Sequence, residues 1–366
     1  MDNPADQALI DLFLQLVAIN ATSRKEKPIA DFIRSYLAGA DITIEEDSAG
    51  EAEGGNCGNL ICRYAGGGSV ALLAHMDTVR PTADLKAQVL ADRITSDGTT
   101  ILGADNRAGV ALILSALKGA AAGQLDLEPF TAVFTICEES TLGGSRRLEL
   151  PAVIEMAFTF DSSLPPGTFI SETYGAMAFT ARVIGRASHA GTEPEKGINA
   201  IMVAAQAIAA LETGRLDKDT TANFGMISGG AATNVVPAQA TVDGEVRGRD
   251  TGHVEEVIQQ IEAAFRNAAR SAGAELEFSA EWHFKSYLIK PATPIYRRVK
   301  AAIAKTGLEP RAHVTPGGSD ANSVNAKGIP AINLATGASN VHSDDEFILL
   351  ADLLHARDIL LALMAR

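Results

Sequence analysis

The segment TAVFTICEESTLGG, residues 131–144, decides how the rest of the chain is interpreted. Its first half is a nearly continuous apolar run, which predicts a strand buried on both faces. The run ends in two adjacent carboxylates, Glu138 and Glu139, ahead of residues that turn the chain. Successive side chains of an extended chain point to opposite sides. We therefore expect one of the two acids to bind a ligand and the other to face that ligand. Two buried acids also need a cation or a proton, although an ordinary acidic turn stays open for the pair alone.

Length and composition limit the classes of protein to consider. A chain of 366 residues favours two domains, and a 46% apolar fraction predicts well-formed cores. The net charge of −14 argues against nucleic acid as a partner. The first residues lack the features of a signal peptide, and no apolar run is long enough for a membrane span. Three cysteines without CxxC spacing fit a reducing compartment, so we expect a cytoplasmic location.

Several other metal-competent side chains lie near the ends of predicted elements. His75 and Asp77 follow the buried strand 70–74, two residues apart and therefore on one side of it. Asp161 ends another apolar strand, and His342 lies in the loop after the strand PAINLAT. Asp105 precedes an apolar helix, where it could equally serve as a helix cap.

The alternation of strands and helices predicts an α/β fold with a largely parallel sheet. Binding sites in such sheets form at the carboxyl ends of the strands. His75, Glu138, Glu139 and Asp161 share that placement, and Asp105 lies at a helix entrance. The shared placement predicts a metal-binding cluster at one edge of one sheet.

The pattern changes between about residues 175 and 288. Strands and helices there follow a βαββαβ order, which predicts a ferredoxin-like, two-layer α+β domain inserted into the first. We therefore predict a discontinuous first domain of residues 1–174 and 289–366, and an inserted second domain of residues 175–288.

Six motifs in this order resemble the M20 family of zinc-dependent peptidases and deacylases, over essentially the whole chain. They are HMD at 75–77, GADN at 103–106, CEES at 137–140, Asp161, SHAG at 188–191 and NVHSDDE at 340–346. Within the family the chain is most similar to the peptidase T, or tripeptide aminopeptidase, branch, through GTTILGADNRAGVA, SHAGTEPEKGINAI and TPGGSDAN.

The resemblance implies a catalytic domain of the zinc-peptidase type with two Zn²⁺ per chain, for which Co²⁺ or Mn²⁺ are possible substitutes. By resemblance, His75 and Asp161 complete one zinc site, Glu139 and His342 complete the other, and Asp105 bridges them. Zinc accepts nitrogen and carboxylate ligands. Asp77 would orient His75, and Glu138 would be the general base that takes a proton from water and returns it to the leaving amine.

The resemblance also assigns substrate contacts in the inserted domain, which would form a lid and a dimerisation surface. His189 would polarise the scissile carbonyl, often in the partner subunit's site, and the alternative is a surface histidine in a turn. Asn234 and Arg247 match substrate-binding positions, although Arg247 could be an ordinary strand-surface arginine. Outside the inserted domain, the segment GGSD around Gly318 has spare backbone donors, and we expect it to line the pocket.

The function implied is therefore an aminopeptidase that releases the N-terminal residue of short peptides, above all tripeptides, as a homodimer. A dipeptidase, a carboxypeptidase or an N-acyl-amino-acid deacylase would use the same metals, because specificity depends on a few pocket contacts. A non-catalytic metal- or peptide-binding relative is a different class, against which the intact Glu138 argues. Asn106 stands where many relatives carry a second aspartate, which by itself gives no reason to expect lost catalysis.

Overall fold

The computed structural model describes residues 3–366, and these form two compact units. The first comprises the chain up to Glu172 together with Leu288–Thr315 and Ser319–Arg366. The second comprises Thr173–Tyr287 and Pro316–Gly318. The catalytic and lid roles of the two units stay predictions. Between residues 3 and 366, no helix combines the length and the apolar character that crossing a bilayer requires.

The first unit is built on a nine-stranded sheet whose four central strands, in the order β6-β3-β7-β16, are parallel. Antiparallel strands flank them, β2 and β1 beside β6 and β8 beside β16. The strands are β1 Ile42–Glu46, β2 Leu60–Tyr64, β3 Val70–His75, β6 Phe130–Thr135, β7 Met156–Ser162, β8 Thr168–Thr173, β14 Tyr287–Leu288, β15 Arg311–Thr315 and β16 Ala331–Ala335. Every residue of β3, β6 and β16 is buried, as their continuous apolar sequences predict.

Helices cover this sheet, and α4, most of whose residues are buried, packs against β3 and β7. The helices of this unit are α1 Pro4–Val17, α2 Lys27–Tyr36, α3 Ala49–Glu53, α4 Ala104–Ala121, α5 Glu138–Thr141, α6 Gly143–Arg147, α9 Pro294–Lys305, α10 Asp320–Ala326 and α11 Leu350–Met364. A separate four-stranded sheet joins β4 Gln88–Val89 and β5 Arg93–Thr95 to β17 Ala338–Ser339 and β18 Phe347–Leu349. The predicted mostly parallel α/β fold is confirmed.

The second unit is a five-stranded antiparallel sheet with two helices, and its strand order is β10-β11-β12-β9-β13. Its elements are β9 Gly175–Ile184, a short 3₁₀ helix Pro194–Lys196, α7 Ala200–Ala209, β10 Gly214–Arg215, β11 Thr220–Gly229, β12 Gln239–Gly248, α8 Thr251–Ala272 and β13 Glu275–Phe284. Phe179, Val242 and Phe265 lie in its core between sheet and helices. The predicted two-layer βαββαβ arrangement is confirmed, with β10 as an additional short strand.

The end of β6 differs from the prediction in one respect. The strand stops at Thr135, and Glu138 and Glu139 begin the short helix α5 instead of prolonging an extended chain. Cys137 turns the chain there with a φ of 53°, in the left-handed region. The expectation that the two acids alternate as in a strand is therefore wrong, although adjacent helical residues also point in different directions.

Candidate metal centre and active site

Asp105 lies at the middle of a cluster of metal-competent side chains. Its Oδ1 atom is 3.1 Å from Nε2 of His75, the last residue of β3. The same His75 nitrogen is 3.1 Å from Oδ1 of Asp161, near the end of β7. These three side chains form one half of the cluster, and all are largely buried.

The other oxygen of Asp105 faces a second histidine. Oδ2 is 3.3 Å from Nε2 of His342, which in turn lies 3.1 Å from Oε2 of Glu139. His342 is half exposed, whereas Glu139 is buried. Each oxygen of Asp105 is thus paired with a different histidine, so the carboxylate joins two ligand groups. Ligand atoms of His75, Asp105 and Glu139 all lie within 4.8 Å of one another.

Glu138 stands beside this cluster. Its Oε2 atom is 4.0 Å from Nε2 of His75, farther than Asp105 or Asp161. Burial raises the pKa of Glu138 well above its usual value, and neighbouring Asp161, Asp320 and Glu139 raise it further. A carboxyl group whose protonated form is favoured in this way suits a group that accepts and returns a proton.

The cluster carries more negative charge than its own cations balance. Burial raises the pKa values of Glu139 and Asp161. Hydrogen bonds to Asp105 and Glu139 raise the pKa of His342 to about 10. Oε1 of Glu139 is buried and accepts no hydrogen bond from any residue between 3 and 366. Excess carboxylates and an unpartnered oxygen are what a bound cation would satisfy.

Side-chain oxygens hold the chain that carries the two glutamates. Four successive backbone N–H groups donate to them: Ile136 to Asn59 (3.1 Å), Cys137 to Glu26 (3.0 Å), and Glu138 and Glu139 to the two oxygens of Asp77 (3.1 and 3.2 Å). The acceptors are fully buried. This pattern replaces the secondary-structure bonds that the left-handed turn at Cys137 interrupts.

Asp77 also contacts His75, as its predicted orienting role requires. The Nδ1 atom of His75 lies 3.0 Å from the backbone oxygen of Asp77 and 3.4 Å from its Oδ1 atom. Ser23 donates to the Asp77 carboxylate at 2.6 Å. Asp77 therefore connects the strand end at His75 with the turn that carries Glu138 and Glu139.

Sequence reasoning assigned no role to two further buried residues beside the cluster. Glu346 accepts hydrogen bonds from the N–H groups of Gly103 (2.7 Å) and Asp105 (3.0 Å), and burial raises its pKa to about 7. The Arg107 guanidinium donates to the Met76 carbonyl between His75 and Asp77. Burial lowers the pKa of Arg107 to about 10, which leaves it charged at neutral pH.

Asp320, in α10, contacts the end of β6 beside the same turn. It is buried and accepts a hydrogen bond from Thr135 (2.5 Å), and burial raises its pKa to about 6. A charged residue at the start of the apolar stretch 107–114 was the available signal for Arg107, because a buried charge needs partners.

In the second unit, the structure brings His189 and Asn234 together. The Ala190 N–H donates to the Asn234 carbonyl (2.9 Å), and His189 bridges to Val235. Nδ1 of His189 accepts from the N–H groups of Gly191 and Thr192, both at 3.2 Å. Because that nitrogen is an acceptor, the ring proton lies on Nε2, which makes His189 a hydrogen-bond donor.

Arg247 and Gly318 also belong to the second unit, and each has a contact within it. The Arg247 guanidinium is bidentate with Glu245 (2.7 and 3.1 Å), so a substrate carboxylate would compete with Glu245 for it. A Cβ atom at Gly318 would lie 2.6 Å from the ring of Phe284. Close packing therefore accounts for a glycine at 318, whatever its role toward a substrate.

Comparisons with known proteins agree with this geometry. Residues 171–272 match the peptidase dimerisation domain of the M20 family. The uncharacterised protein YqjE of Bacillus subtilis is 31% identical over 363 residues, which is 98% of both chains. Crystal structures of the aminopeptidase PepT from Bacillus cereus and of a tripeptidase from Staphylococcus aureus are each 29% identical, with TM-scores of 0.87 and 0.89. The first covers 98% of both chains, and the second covers 98% of this chain and 97% of its own.

These similarities extend over both units and include the segments that carry the cluster. A relative above 30% identity that aligns along nearly the whole chain shares more than a general architecture with it. The chain therefore belongs to the M20 family of metallopeptidases, in its peptidase T-like branch, and is a hydrolase of that family.

Proposed function

We propose that this protein is a dinuclear zinc aminopeptidase that releases the N-terminal residue of tripeptides. The observation that carries the proposal is the two-sided pairing of Asp105, whose oxygens face His75 and His342. The similarity to structures described as an aminopeptidase and a tripeptidase supports the substrate class.

The residues present fit two zinc ions. One ion would be held by His75, Asp161 and Asp105, and the other by His342, Glu139 and Asp105. Each set combines one imidazole nitrogen with carboxylate oxygens and leaves room for water, as catalytic zinc sites require. The unpartnered Oε1 atom of Glu139 is a further donor available to an ion. Zinc thus accounts for the excess of buried carboxylates.

The chemistry divides between the ions and the chain. When bound, the two ions would act as Lewis acids that polarise the scissile carbonyl and make water more acidic. Glu138 would take a proton from the attacking water and return it to the leaving amine, a transfer worth about 10²–10⁴-fold in rate. The N–H groups held by Asp77 keep the Glu138 backbone in place during that transfer.

His189 would contribute a hydrogen-bond donor. Its Nε2 proton is oriented outward by the two backbone donors to Nδ1, so the ring can donate to a carbonyl oxygen as the bond is attacked. Asn234, on the segment paired with His189, would bind substrate beside it. Arg247 would serve a substrate carboxylate only by exchanging its Glu245 partner.

We also propose a homodimer formed through the second unit. β11 pairs with β10 only at residues 221 and 222, so the rest of that edge has no strand partner among residues 3–366. Two apolar side chains of this strand, Met226 and Ile227, are 66% and 57% exposed, and Met202 on α7 is 54% exposed. An unpaired edge with exposed apolar residues is a template for pairing with a second copy.

The cytoplasm is the location we propose, because the three cysteines are buried free thiols. A reducing compartment keeps such thiols from oxidation.

The test of the function is hydrolysis by zinc-reconstituted protein, run beside Glu138→Gln. The substrates are free tripeptides, N-acetylated tripeptides, dipeptides and N-acetyl amino acids. Cleavage of free tripeptides alone, lost in the variant while zinc is retained, supports the proposal. Cleavage of dipeptides or of N-acetyl amino acids instead indicates a dipeptidase or a deacylase. No turnover with two zinc ions bound would indicate a binding protein.

A further inference from the structure

A cavity of about 910 Å³ lies in the first unit, on residues that the proposed chemistry does not use. We call it the α6 cavity, because the C-terminal residues of α6 and the segment after it form one wall. It is lined by Asp47, Ser48, Ala49, Ala52, Arg146, Arg147, Leu148, Glu149, Leu150, Lys327 and Ile329. The volume accommodates an amino acid or a short peptide with its water.

The charged groups of this wall are only partly neutralised. Arg147 pairs with Glu53 at 2.9 Å, and Asp47 accepts N–H groups from Ala49 and Asn59. Within residues 3–366, by contrast, Arg146, Lys327 and Glu149 have no ion-pair partner. The Lys327 ammonium donates to the backbone oxygens of Ser145 (2.8 Å) and Leu148 instead. Two cations and one acid therefore remain available to a ligand.

Three of the lining residues are connected to the turn that carries Glu138 and Glu139. Asp47 accepts from Asn59 at 2.7 Å, and Asn59 in turn binds Ile136 N–H and the Gly144 carbonyl (3.1 and 3.0 Å). Arg147 binds Glu53, which accepts a hydrogen bond from the Thr141 hydroxyl at 3.1 Å.

Lys327 forms the third connection, through the carbonyls of Ser145 and Leu148 at the end of α6. A ligand that binds Lys327 or Arg147 would therefore compete with the hydrogen bonds that these side chains make to support α5 and α6. Such competition between two arrangements of one element is how a bound ligand changes a distant site.

We propose that the α6 cavity is an effector site for a zwitterionic amino acid or short peptide. The ligand's carboxylate binds Arg146 and Lys327, and its ammonium binds Glu149. Both Asp47 and Glu149 lie on the wall, so a dianion such as a phosphate ester is disfavoured. The apolar lining residues Leu148, Leu150 and Ile329 accept an aliphatic side chain. Binding of this ligand in the α6 cavity changes the kcat of the enzyme through the segment 136–148.

The experiment is isothermal titration calorimetry of zinc-loaded protein with leucine, N-acetylleucine and leucinamide as probes. The variants are Arg146→Gln and Glu149→Gln, and the control is Arg270→Gln, an exposed arginine in the last turn of α8. We expect leucine to bind with a Kd of about 1 mM and each cavity variant to weaken it about tenfold, since charge-assisted hydrogen bonds are lost. The two singly charged probes should bind about tenfold more weakly, and Arg270→Gln should behave as wild type.

Calorimetry measures binding and needs no substrate cleavage, so its result does not depend on the proposed substrate. Where tripeptides are cleaved, leucine should also change kcat in wild type but not in Arg146→Gln, whereas product binding at the metal site would raise only KM. The proposal is overturned if leucine does not bind, if Arg146→Gln binds it normally, or if N-acetylleucine binds equally well. Bound leucine that leaves kcat unchanged overturns the effector role.

Discussion

Replacing Glu346 by glutamine should weaken zinc binding although Glu346 is not one of the proposed ligands. Its buried carboxylate accepts the N–H groups of Gly103 and Asp105, and so fixes the loop that presents Asp105 to both histidines. Glutamine has nearly the same shape and keeps one accepting oxygen. Its NH₂ group, however, faces the second N–H as a donor facing a donor.

The magnitude follows from these two bonds. Above about pH 7, where the Glu346 carboxylate is charged, a hydrogen bond to it contributes about 1.5–3 kcal/mol, and the substitution removes one such bond and weakens the other. The loop can relax when no metal is bound, so the cost should fall mainly on the bound state. A cost of that size corresponds to about a 10- to 100-fold increase in the zinc Kd, in line with other residues that support metal ligands.

The assay is competition for zinc against a chromophoric chelator, with circular dichroism to verify folding. Asp345→Asn is the matched control, because Asp345 is an exposed neighbouring acid. A folded Glu346→Gln protein whose zinc Kd stays within about twofold of the control would refute the reasoning. It would show that the Asp105 loop holds its position without this carboxylate.

Four further predictions follow from the same structure. Glu138→Gln should lower kcat by about 10²–10⁴-fold with zinc content unchanged, and metal analysis beside the rate measurement checks this. Arg107→Met should lower the free energy of unfolding by about 3 kcal/mol or more, because it leaves buried acids and the Met76 carbonyl without their cationic partner. In urea titrations, Arg107→Lys should recover part of the lost free energy of unfolding. Burial and the Asp77 charge raise the pKa of Glu26, so its contribution to stability is lost as pH rises above the ordinary glutamate value. Metal-free Glu26→Gln should therefore gain stability relative to wild type as the pH rises above about 4.5, and a pH-independent difference would contradict this. Met226→Lys should turn a dimer into a monomer by light scattering at about micromolar concentration, whereas a wild-type monomer would exclude the proposed interface.

Much of the fold was predictable because its signals are local. Continuous apolar runs at β3, β6 and β16 indicate strands covered on both faces, and the predicted order of strands and helices in the second unit matches the observed order apart from the short β10. The small sheet of β4, β5, β17 and β18 was not predicted. Its strands are two or three residues long, so no local periodicity marks them, and β5 pairs with β18 across some 250 residues.

The candidate site, like the fold, was predictable only in part. Placement at strand ends indicated His75, Glu138, Glu139, Asp161 and His342, because carboxyl ends of parallel strands converge at one edge, and Asp105 lay at a helix entrance. The division of these residues into ligands and base came from the resemblance to the family. The supporting residues were not selected. Glu26 and Asn59 come from segments far from the turn in sequence, and nothing local to either indicates which N–H groups it will accept.

The sequence by itself determined the main strands and helices and their order, the family, and which side chains are able to bind metal. Only the tertiary structure decided that each oxygen of Asp105 faces its own histidine, and that Glu138 and Glu139 begin a helix. The physical reason is that those features depend on hydrogen bonds between distant segments. A left-handed residue at Cys137 breaks the regular backbone pairing, and the acceptors that replace it come from Asn59, Glu26 and Asp77.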